Sequence, residues 1–224
     1  MTHTIFRRPL RAASTAALLF ALHPSTDSIA QDIGVTAITA PVGGCALTAN
    51  ESVTIVLYNY GPTLTAGSSF NVWYSINAGA PVPEMLTLAS NLLTNSRLAY
   101  TFTTQANLST PGSYTFDATA TLVGDINPTN NATTGYAVTN WATSVGGTLT
   151  TPPVGSAGTL TLTGYTGQVV QWEQTDDIGA RWFVLSNTSA TQTYASLRAP
   201  ARFRARVRNG LCGEAVSNVV MATP

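Results

Sequence analysis

The feature that most constrains this chain is a strict alternation of apolar and polar residues. In "SFNVWYSIN", Phe70, Val72, Tyr74 and Ile76 alternate with residues of the opposite face, and "GSYTFDATATLV" continues the same pattern further along. Period two over this length is typical of half-buried antiparallel strands, because successive side chains point to opposite faces of a sheet. No segment shows a convincing helical period, so the sequence predicts an all-β protein.

Turn-forming clusters divide the predicted strands into two sets. Residues 32–139 contain seven candidate strands, separated by clusters such as "GPTLTAG" and "GDINPTNN", and residues 147–221 contain seven more. Seven short strands in roughly 100 residues are typical of an immunoglobulin-like antiparallel β-sandwich. We therefore predict two such domains in tandem, at residues 31–140 and 148–224, with a linker at residues 141–147.

The first thirty residues have the three parts of a secretory signal peptide. Arg7, Arg8 and Arg11 form a basic start, the uncharged run "AASTAALLFAL" follows, and Ser28-Ile29-Ala30 is a small-x-small cleavage pattern. The uncharged run is too short to span a bilayer. We predict cleavage after Ala30 and a secreted or cell-surface protein without a membrane span.

The remaining sequence lacks the side chains that most catalytic mechanisms need. Both histidines, His3 and His23, lie in the predicted signal peptide, and the chain contains no lysine. These absences exclude histidine-dependent triads, histidine-ligated zinc, Schiff-base catalysis and phosphate-loop lysines. Residues 31–224 carry nine carboxylates and seven arginines, a net charge near −2 that does not suggest a nucleic-acid partner. We predict no cofactor and no enzymatic activity.

Long stretches of the sequence resemble a known family. "DIGVTAITAPVGGCALTANESVTIVLYNYG", "FNVWYSINAGAPV" and "GDINPTNN" resemble the β-sandwich module of Bacteroidetes-type secreted surface proteins, which is related to adhesion-type immunoglobulin-like and fibronectin-like domains. "GTLTLTGYTGQVVQWEQTDDIGARW" and "TYASLRAPARFRARVRNGLCGEAVS" are similar to the immunoglobulin-like module that often follows it. Members often end in a sorting or anchoring domain, whereas this sequence stops at Pro224, just after its last predicted strand. The resemblance therefore implies an adhesin-like fold, and the expected departure from the family is the lack of a C-terminal sorting domain.

The resemblance also bears on the two cysteines, Cys45 and Cys212. In the second module of that family a first-strand cysteine pairs with the one in the last hairpin, but the matching stretch here, "PPVGSAGTL", contains none. Cys45 lies between the first two predicted strands and Cys212 in the last hairpin, and a short linker would bring those two ends face to face. An interdomain disulfide is one hypothesis, favoured by an oxidising compartment. Two separate thiols are the alternative.

The densest carboxylates, Glu173, Asp176 and Asp177, lie on one predicted hairpin. A glycosidase needs two carboxylates across a cleft, which a small hairpin does not offer, so we predict no catalytic site. On the same hairpin Trp172 is expected in the core, whereas Trp182 and Phe183 compete for one inward position.

The loop "GDINPTNN" contains several oxygen donors, among them Asp125, Asn127 and Asn130. Calcium takes six or more oxygens, usually with several carboxylates, and this loop has one. We therefore interpret it as a turn held by side-chain hydrogen bonds, with a weak metal site as the alternative.

Every second residue of the last long strand is an arginine. The four are Arg202, Arg204, Arg206 and Arg208. They are expected to share one face, with Glu173 or Glu214 only partly offsetting their charge. A solvated strand face is one interpretation, and an anion-binding face is the other.

Two functions remain open. The first is a non-enzymatic surface scaffold, spacer or adhesin stalk. The second is an accessory module that binds glycans or peptides through exposed aromatics such as Trp73, Tyr58 and Tyr60, or through the arginine face. Candidate partners are cell-envelope polysaccharide and other surface proteins.

Overall fold

The computed structural model describes residues 30–176 and 181–224, and all regular elements in these ranges are β-strands. The first half of the chain contains eight strands. They are β1 (Ile33–Ala40), β2 (Gly44–Cys45), β3 (Thr54–Asn59), β4 (Ser69–Ile76), β5 (Val82–Thr87), β6 (Arg97–Thr101), β7 (Gly112–Thr121) and β8 (Ala132–Trp141). The described ranges contain no helix long and apolar enough to cross a membrane. The predicted signal peptide falls almost wholly outside them.

The eight strands form two sheets that pack over one core. One sheet has the order β1-β3-β6, and the other has the order β2-β8-β7-β4-β5. The pairings between strands are antiparallel except for β2 with β8, where Gly44 and Cys45 run parallel to Asn140 and Trp141. Two small sheets of mainly antiparallel strands around a common core are the architecture of an immunoglobulin-like sandwich.

The alternation seen in the sequence places one face of each strand in this core. Ile55 and Leu57 of β3 and Val72 and Tyr74 of β4 are fully buried, while the residues between them are more exposed. Burying a side chain of this size stabilises the fold by roughly 1.5–3 kcal/mol. Strand periodicity and hydrophobic burial therefore agree along the first sandwich.

The second half of the chain contains eight shorter strands. They are β9 (Thr148–Leu149), β10 (Gly158–Thr163), β11 (Gln168–Asp176), β12 (Phe183–Leu185), β13 (Thr191–Tyr194), β14 (Ala201–Arg208), β15 (Ala215–Val216) and β16 (Val220–Ala222). One sheet has the order β13-β10-β9, and the other β12-β11-β14-β15, with β16 also paired to β14. This is a second sandwich, so the predicted fold class, two tandem immunoglobulin-like β-sandwiches, is confirmed.

The second core is built around Trp172 of β11. This side chain is fully buried, as predicted, and its indole N–H donates to the carbonyl of Ser189 at 2.9 Å. Phe203, Ala205 and Val207 of β14 are buried beside it. The apolar residues between the four arginines therefore face inward, as the alternation predicts.

Two local features differ from the expected strands. The two-residue strand β2 was not predicted, because its pairing with β8 depends on tertiary contact rather than on a periodic pattern. The last of the seven strands predicted in residues 147–221, "EAVSNVVM", is divided into β15 and β16. Between them the hydroxyl of Ser217 accepts from the N–H of Ala205 at 2.8 Å, and Asn218 bonds the backbone of Leu149 in the other sheet. Between β15 and β16, hydrogen bonds from side chains thus replace part of the backbone hydrogen bonding between strands.

Candidate functional site

The two sandwiches are covalently joined by a disulfide between Cys45 and Cys212. The two residues are 167 positions apart in sequence, and their Cα atoms are 5.0 Å apart. Strand β2 holds Cys45 beside the end of β8, and the N–H of Cys212 donates to the carbonyl of Asn209 at 2.9 Å, which closes a four-residue turn. Of the two arrangements that the sequence left open, the structure contains the interdomain bond.

Hydrogen bonds around the disulfide connect the predicted linker to the second sandwich. The side-chain amide of Asn209 donates to the carbonyl of Ala142 at 2.8 Å, and its backbone N–H donates to the hydroxyl of Ser144 at 2.9 Å. Val145 and Thr166 exchange two backbone hydrogen bonds of 3.2 and 3.1 Å. The segment predicted as a linker is therefore bound to the domain that follows it, and β8 itself continues to Trp141.

Two glycines allow a close backbone approach at the same place. Gly210, with φ of +52°, lies directly against the indole ring of Trp141, and Gly146 lies against the backbone of Val216 and Ser217. A Cβ atom at either glycine would overlap these neighbours. We call the contacts formed by Cys45, residues 141–146 and residues 209–212 the interdomain joint. The sequence did not lead us to predict this contact of Trp141. A large aromatic residue in a linker that contains Gly and Ser was nevertheless a signal of such packing.

The four arginines of β14 do share the outer face of their sheet, but their charge is offset more fully than expected. Glu173, which is 5% exposed, lies opposite Arg204 and forms ion pairs of 2.5 Å with it and 2.8 Å with Arg206. Glu214 lies 3.5 Å from Arg206 and 2.6 Å from Arg208. Among residues 30–176 and 181–224, three of the four arginines thus have a carboxylate partner, and the face retains less free positive charge than four arginines suggest.

The titration of Glu173 follows from this environment. Burial acts to raise the pKa of its carboxyl group, but hydrogen bonds from Arg206 and Arg204 outweigh burial and lower the pKa. The hydrogen bond between Arg206 and Glu173 also raises the pKa of the Arg206 guanidinium. The Glu173 carboxylate is therefore held in its ionised form between two cations.

Neither Trp182 nor Phe183 occupies the core position for which they were expected to compete. The guanidinium carbon of Arg204 lies 3.9 Å above the centroid of the Trp182 ring, which places that ring on the outer arginine face. Phe183 is 55% exposed at the sheet edge. Among the other candidate carboxylates, Asp176 ends β11, and Asp177 lies outside the described residues.

The oxygen-rich loop before β8 binds the start of β1. The carboxylate of Asp125 accepts the N–H of Ile33 at 3.1 Å and the N–H of Asn127 at 2.9 Å, and the amide of Asn130 donates to Asp32 at 2.8 Å. Within residues 30–176 and 181–224 no three metal-ligating His, Cys, Asp or Glu side chains come together. The side chains of Asp125 and Asn130 thus hold the loop against the first strand, while Asn127 accepts the hydroxyl of Thr129 within the loop at 2.6 Å.

The three aromatic residues suggested for ligand contact do not share one surface. Tyr58 and Tyr60 have ring centroids 4.4 Å apart on the outer face of the β1-β3-β6 sheet, and the guanidinium of Arg97 lies 5.8 Å from the Tyr58 centroid. Trp73 lies on β4 between the buried Val72 and Tyr74, so it faces outward from the opposite sheet. Trp73 therefore does not share a surface with Tyr58 and Tyr60, and ligand contact by any of the three stays a prediction.

Glu84 forms a polar clamp across the open edge of the first sandwich that sequence reasoning missed. From edge strand β5 its carboxylate accepts the hydroxyl of Tyr100 at 2.7 Å, the N–H and hydroxyl of Thr103 at 3.0 and 2.8 Å, and the N–H of Thr104 at 2.8 Å. Burial opposes ionisation, but these hydrogen bonds lower the pKa of Glu84 to about 2. Burial and the neighbouring carboxylate raise the pKa of Tyr100 to about 12.

Comparison with known proteins adds a match for the second sandwich and several likenesses of fold. A family model described as a domain of unknown function (DUF8696) matches residues 143–223. No curated protein matches the sequence. Among solved structures, a CARDB domain from Pyrococcus furiosus is 21% identical with a TM-score of 0.37, covering 49% of this chain and 94% of its own.

Two further solved structures are similar over both sandwiches. A tetra-tandem repeat from the extending region of a large adhesion protein is 17% identical with a TM-score of 0.36, covering 86% of this chain and 49% of its own. Fibronectin(III)-like modules of CbhA from Clostridium thermocellum are 13% identical with a TM-score of 0.33, covering 84% of this chain and 93% of theirs. At these identities the likeness is one of fold.

Proposed function

We propose that this chain is a non-enzymatic, extracellular pair of β-sandwiches that acts as a rigid spacer, as in a surface scaffold or an adhesin stalk. The interdomain joint is the observation that supports this function. A disulfide, two hydrogen bonds from Asn209 and the contact of Trp141 with Gly210 all hold the second sandwich against the end of the first. A spacer needs a fixed angle between its units, and a covalent cross-link with packed backbone supplies it.

The extracytoplasmic location has two supports. Disulfides form and persist in oxidising compartments such as the bacterial periplasm and the cell surface. The basic, apolar and small-residue segments of residues 1–30 have the order of a secretory signal. The partners of such a spacer would be cell-envelope polysaccharide or other surface proteins on either side of it.

Small-angle X-ray scattering tests the spacer function. We expect the unreduced protein to scatter as one particle with a fixed angle between its two sandwiches. The matched control replaces residues 142–147 with a Gly-Ser segment of the same length and changes both cysteines to alanine. Its scattering should require an ensemble of interdomain angles, because Gly-Ser chains behave as flexible coils. An unreduced wild-type protein that requires the same ensemble would rule the rigid spacer out.

A second function, glycan or peptide binding, is favoured by the exposed Tyr60, which lies next to the half-buried Tyr58 beside Arg97. Tyr60 is 45% exposed, and tyrosine offers an apolar ring together with a polar hydroxyl. In a glycan-array experiment, binding through this surface should be lost in Tyr60→Ala. It should persist in the matched variant Trp73→Ala on the opposite sheet. Equal loss in both variants, or no binding by the wild type, contradicts this function.

The arginine face is a weaker candidate for the same function. The four arginines and their two partners in the described part of the chain, Glu173 and Glu214, together carry a net charge of +2. Binding of an anionic polysaccharide there should weaken as salt increases, because exposed charges are screened. Binding that does not change with salt would exclude an electrostatic contact.

A further inference from the structure

The disulfide determines which part of the chain carries a stretching load. A load that enters the chain before Cys45 and leaves it after Cys212 has two covalent routes. One route follows the backbone through residues 46–211, and the other crosses the sulfur–sulfur bond between two Cα atoms 5.0 Å apart. The shorter route becomes taut first, so the bond carries the tension and residues 46–211 are bypassed.

Strand β1 forms the load route through the first sandwich. Ile33, its first residue, is bound to Asp125 in the loop before β8, whereas Cys45 pairs with Trp141 at the last residue of β8. The segment from Ile33 to Cys45 therefore runs from one end of β8 to the other. That strand has 10 residues, a length of about 33 Å. Since β1 is already extended, tension along it adds little length.

The route through the second sandwich follows β15 and β16. Ala215 pairs with Val207 near the disulfide end of β14, and Ala222 pairs with Ala201 at the opposite end. The segment after Cys212 thus runs along the whole of β14. The tension path is an extended strand in each sandwich, joined at the interdomain joint by the disulfide.

We propose that the pair is an extension-limited tether, in which a load across both domains is borne by the two outer segments and the disulfide while both cores stay folded. This inference extends the proposed spacer function and depends on it. Residues 31–44 and 213–224 can release about 90 Å of chain at most. The bypassed stretch, which lies between two cysteines 167 positions apart, would release about 550–600 Å if the bond were broken.

Single-molecule force spectroscopy of residues 31–224, the chain that the predicted cleavage leaves, held by handles at its two ends, tests the tether. We expect the unreduced protein to release no more than about 90 Å beyond its folded length. Dithiothreitol is then added to the same held molecule. It is oxidised to its cyclic disulfide while Cys45 and Cys212 become thiols, and the molecule should then release about 550–600 Å more.

A second geometry controls for the force applied. Handles at the exposed residues Gln105 and Thr188 divide the ring closed by the disulfide into two routes of nearly equal length, 83 residue steps directly and 84 through the sulfur–sulfur bond. The unreduced protein should therefore release about 270–300 Å at the same force. This shows that the cores can be unfolded by the force used. The tether is overturned if the unreduced chain, pulled from its ends, releases the long length, or if reduction releases nothing further.

The two proposals fail in different ways. A range of interdomain angles in the scattering experiment contradicts the rigid spacer but leaves the covalent bypass unaffected. Release of the long length from the unreduced chain contradicts the bypass but leaves the interdomain angle unaffected.

Discussion

Trp141, the last residue of β8, lies directly against the backbone of Gly210 in the second sandwich. The indole ring occupies the place where a side chain at position 210 would begin. This contact places the end of one sandwich directly against the β14–β15 loop of the other. The joint therefore needs a residue with no side chain at position 210 in addition to the disulfide.

Gly210→Ala should destabilise the protein by about 1–3 kcal/mol. Alanine at φ of +52° is strained, and its Cβ would overlap the Trp141 ring. Chemical denaturation of the unreduced protein measures the change. Gly213→Ala is the matched control, because nothing lies within 4 Å of a Cβ at that position. Equal stability of the two variants would show that the Trp141 contact is not tight.

The unreduced protein should contain no free thiol, and removing the disulfide should lower its stability. For a closed loop of this length the chain-entropy model gives about 5 kcal/mol, since the bond restricts the unfolded chain. A thiol titration in denaturant, followed by denaturation curves for wild type and for Cys45→Ala with Cys212→Ala, checks both points. Two titratable thiols in the unreduced wild type would contradict the interdomain bond.

Glu84→Gln should reduce the acid sensitivity of the first sandwich. The pKa of Glu84 is about 2 in the folded protein against an ordinary value of 4.5. Its carboxylate therefore contributes stability above about pH 4.5, and this contribution is lost as the pH falls towards 2. The free energy of unfolding, measured between those two pH values, should fall less steeply in Glu84→Gln than in the wild type.

Glu51→Gln is the comparison for that experiment. The Glu51 carboxylate accepts two hydrogen bonds from Thr48, three residues away, and does not link the two sheets. This variant should retain the Glu84 contribution to the pH dependence. If Glu84→Gln and wild type lose stability in parallel, the clamp formed by Glu84 does not stabilise the folded state.

Glu173→Gln should destabilise the second sandwich by about 1–3 kcal/mol. The change leaves Arg204 and Arg206 without their shared negative partner on a partly buried surface, where an unpaired charge is costly. Urea denaturation measures the effect. Glu214→Gln, at a more exposed carboxylate, should cost less than about 1 kcal/mol. A larger loss of stability in Glu214→Gln than in Glu173→Gln would contradict the expected difference between the two carboxylates.

The fold could be predicted because its main signal is local. Period-two alternation is visible within one strand, and it correctly placed residues such as Val72, Phe203 and Val207 in the cores. The position of Trp172 followed from its strand in an immunoglobulin-like sandwich. These predictions need no knowledge of which strands pair.

The candidate site depends on pairing and could be predicted only in part. Glu173 meets Arg204 because β11 and β14 pair in one particular register, which the sequence of neither strand reveals. The clamp at Glu84 joins strands of different sheets, and Trp141 contacts a loop of another domain. The separation of Trp73 from Tyr58 could have been foreseen, because β3 and β4 correspond to neighbouring strands that an immunoglobulin-like sandwich places in opposite sheets.

The position of the disulfide also determines how the protein responds to a protease. A single backbone cleavage anywhere between Cys45 and Cys212 divides the chain, but both pieces remain attached through the sulfur–sulfur bond. Whatever is connected before Cys45 then stays connected to whatever follows Cys212. In an environment rich in proteases, such a molecule keeps its continuity after a cut and loses it only when the bond is reduced.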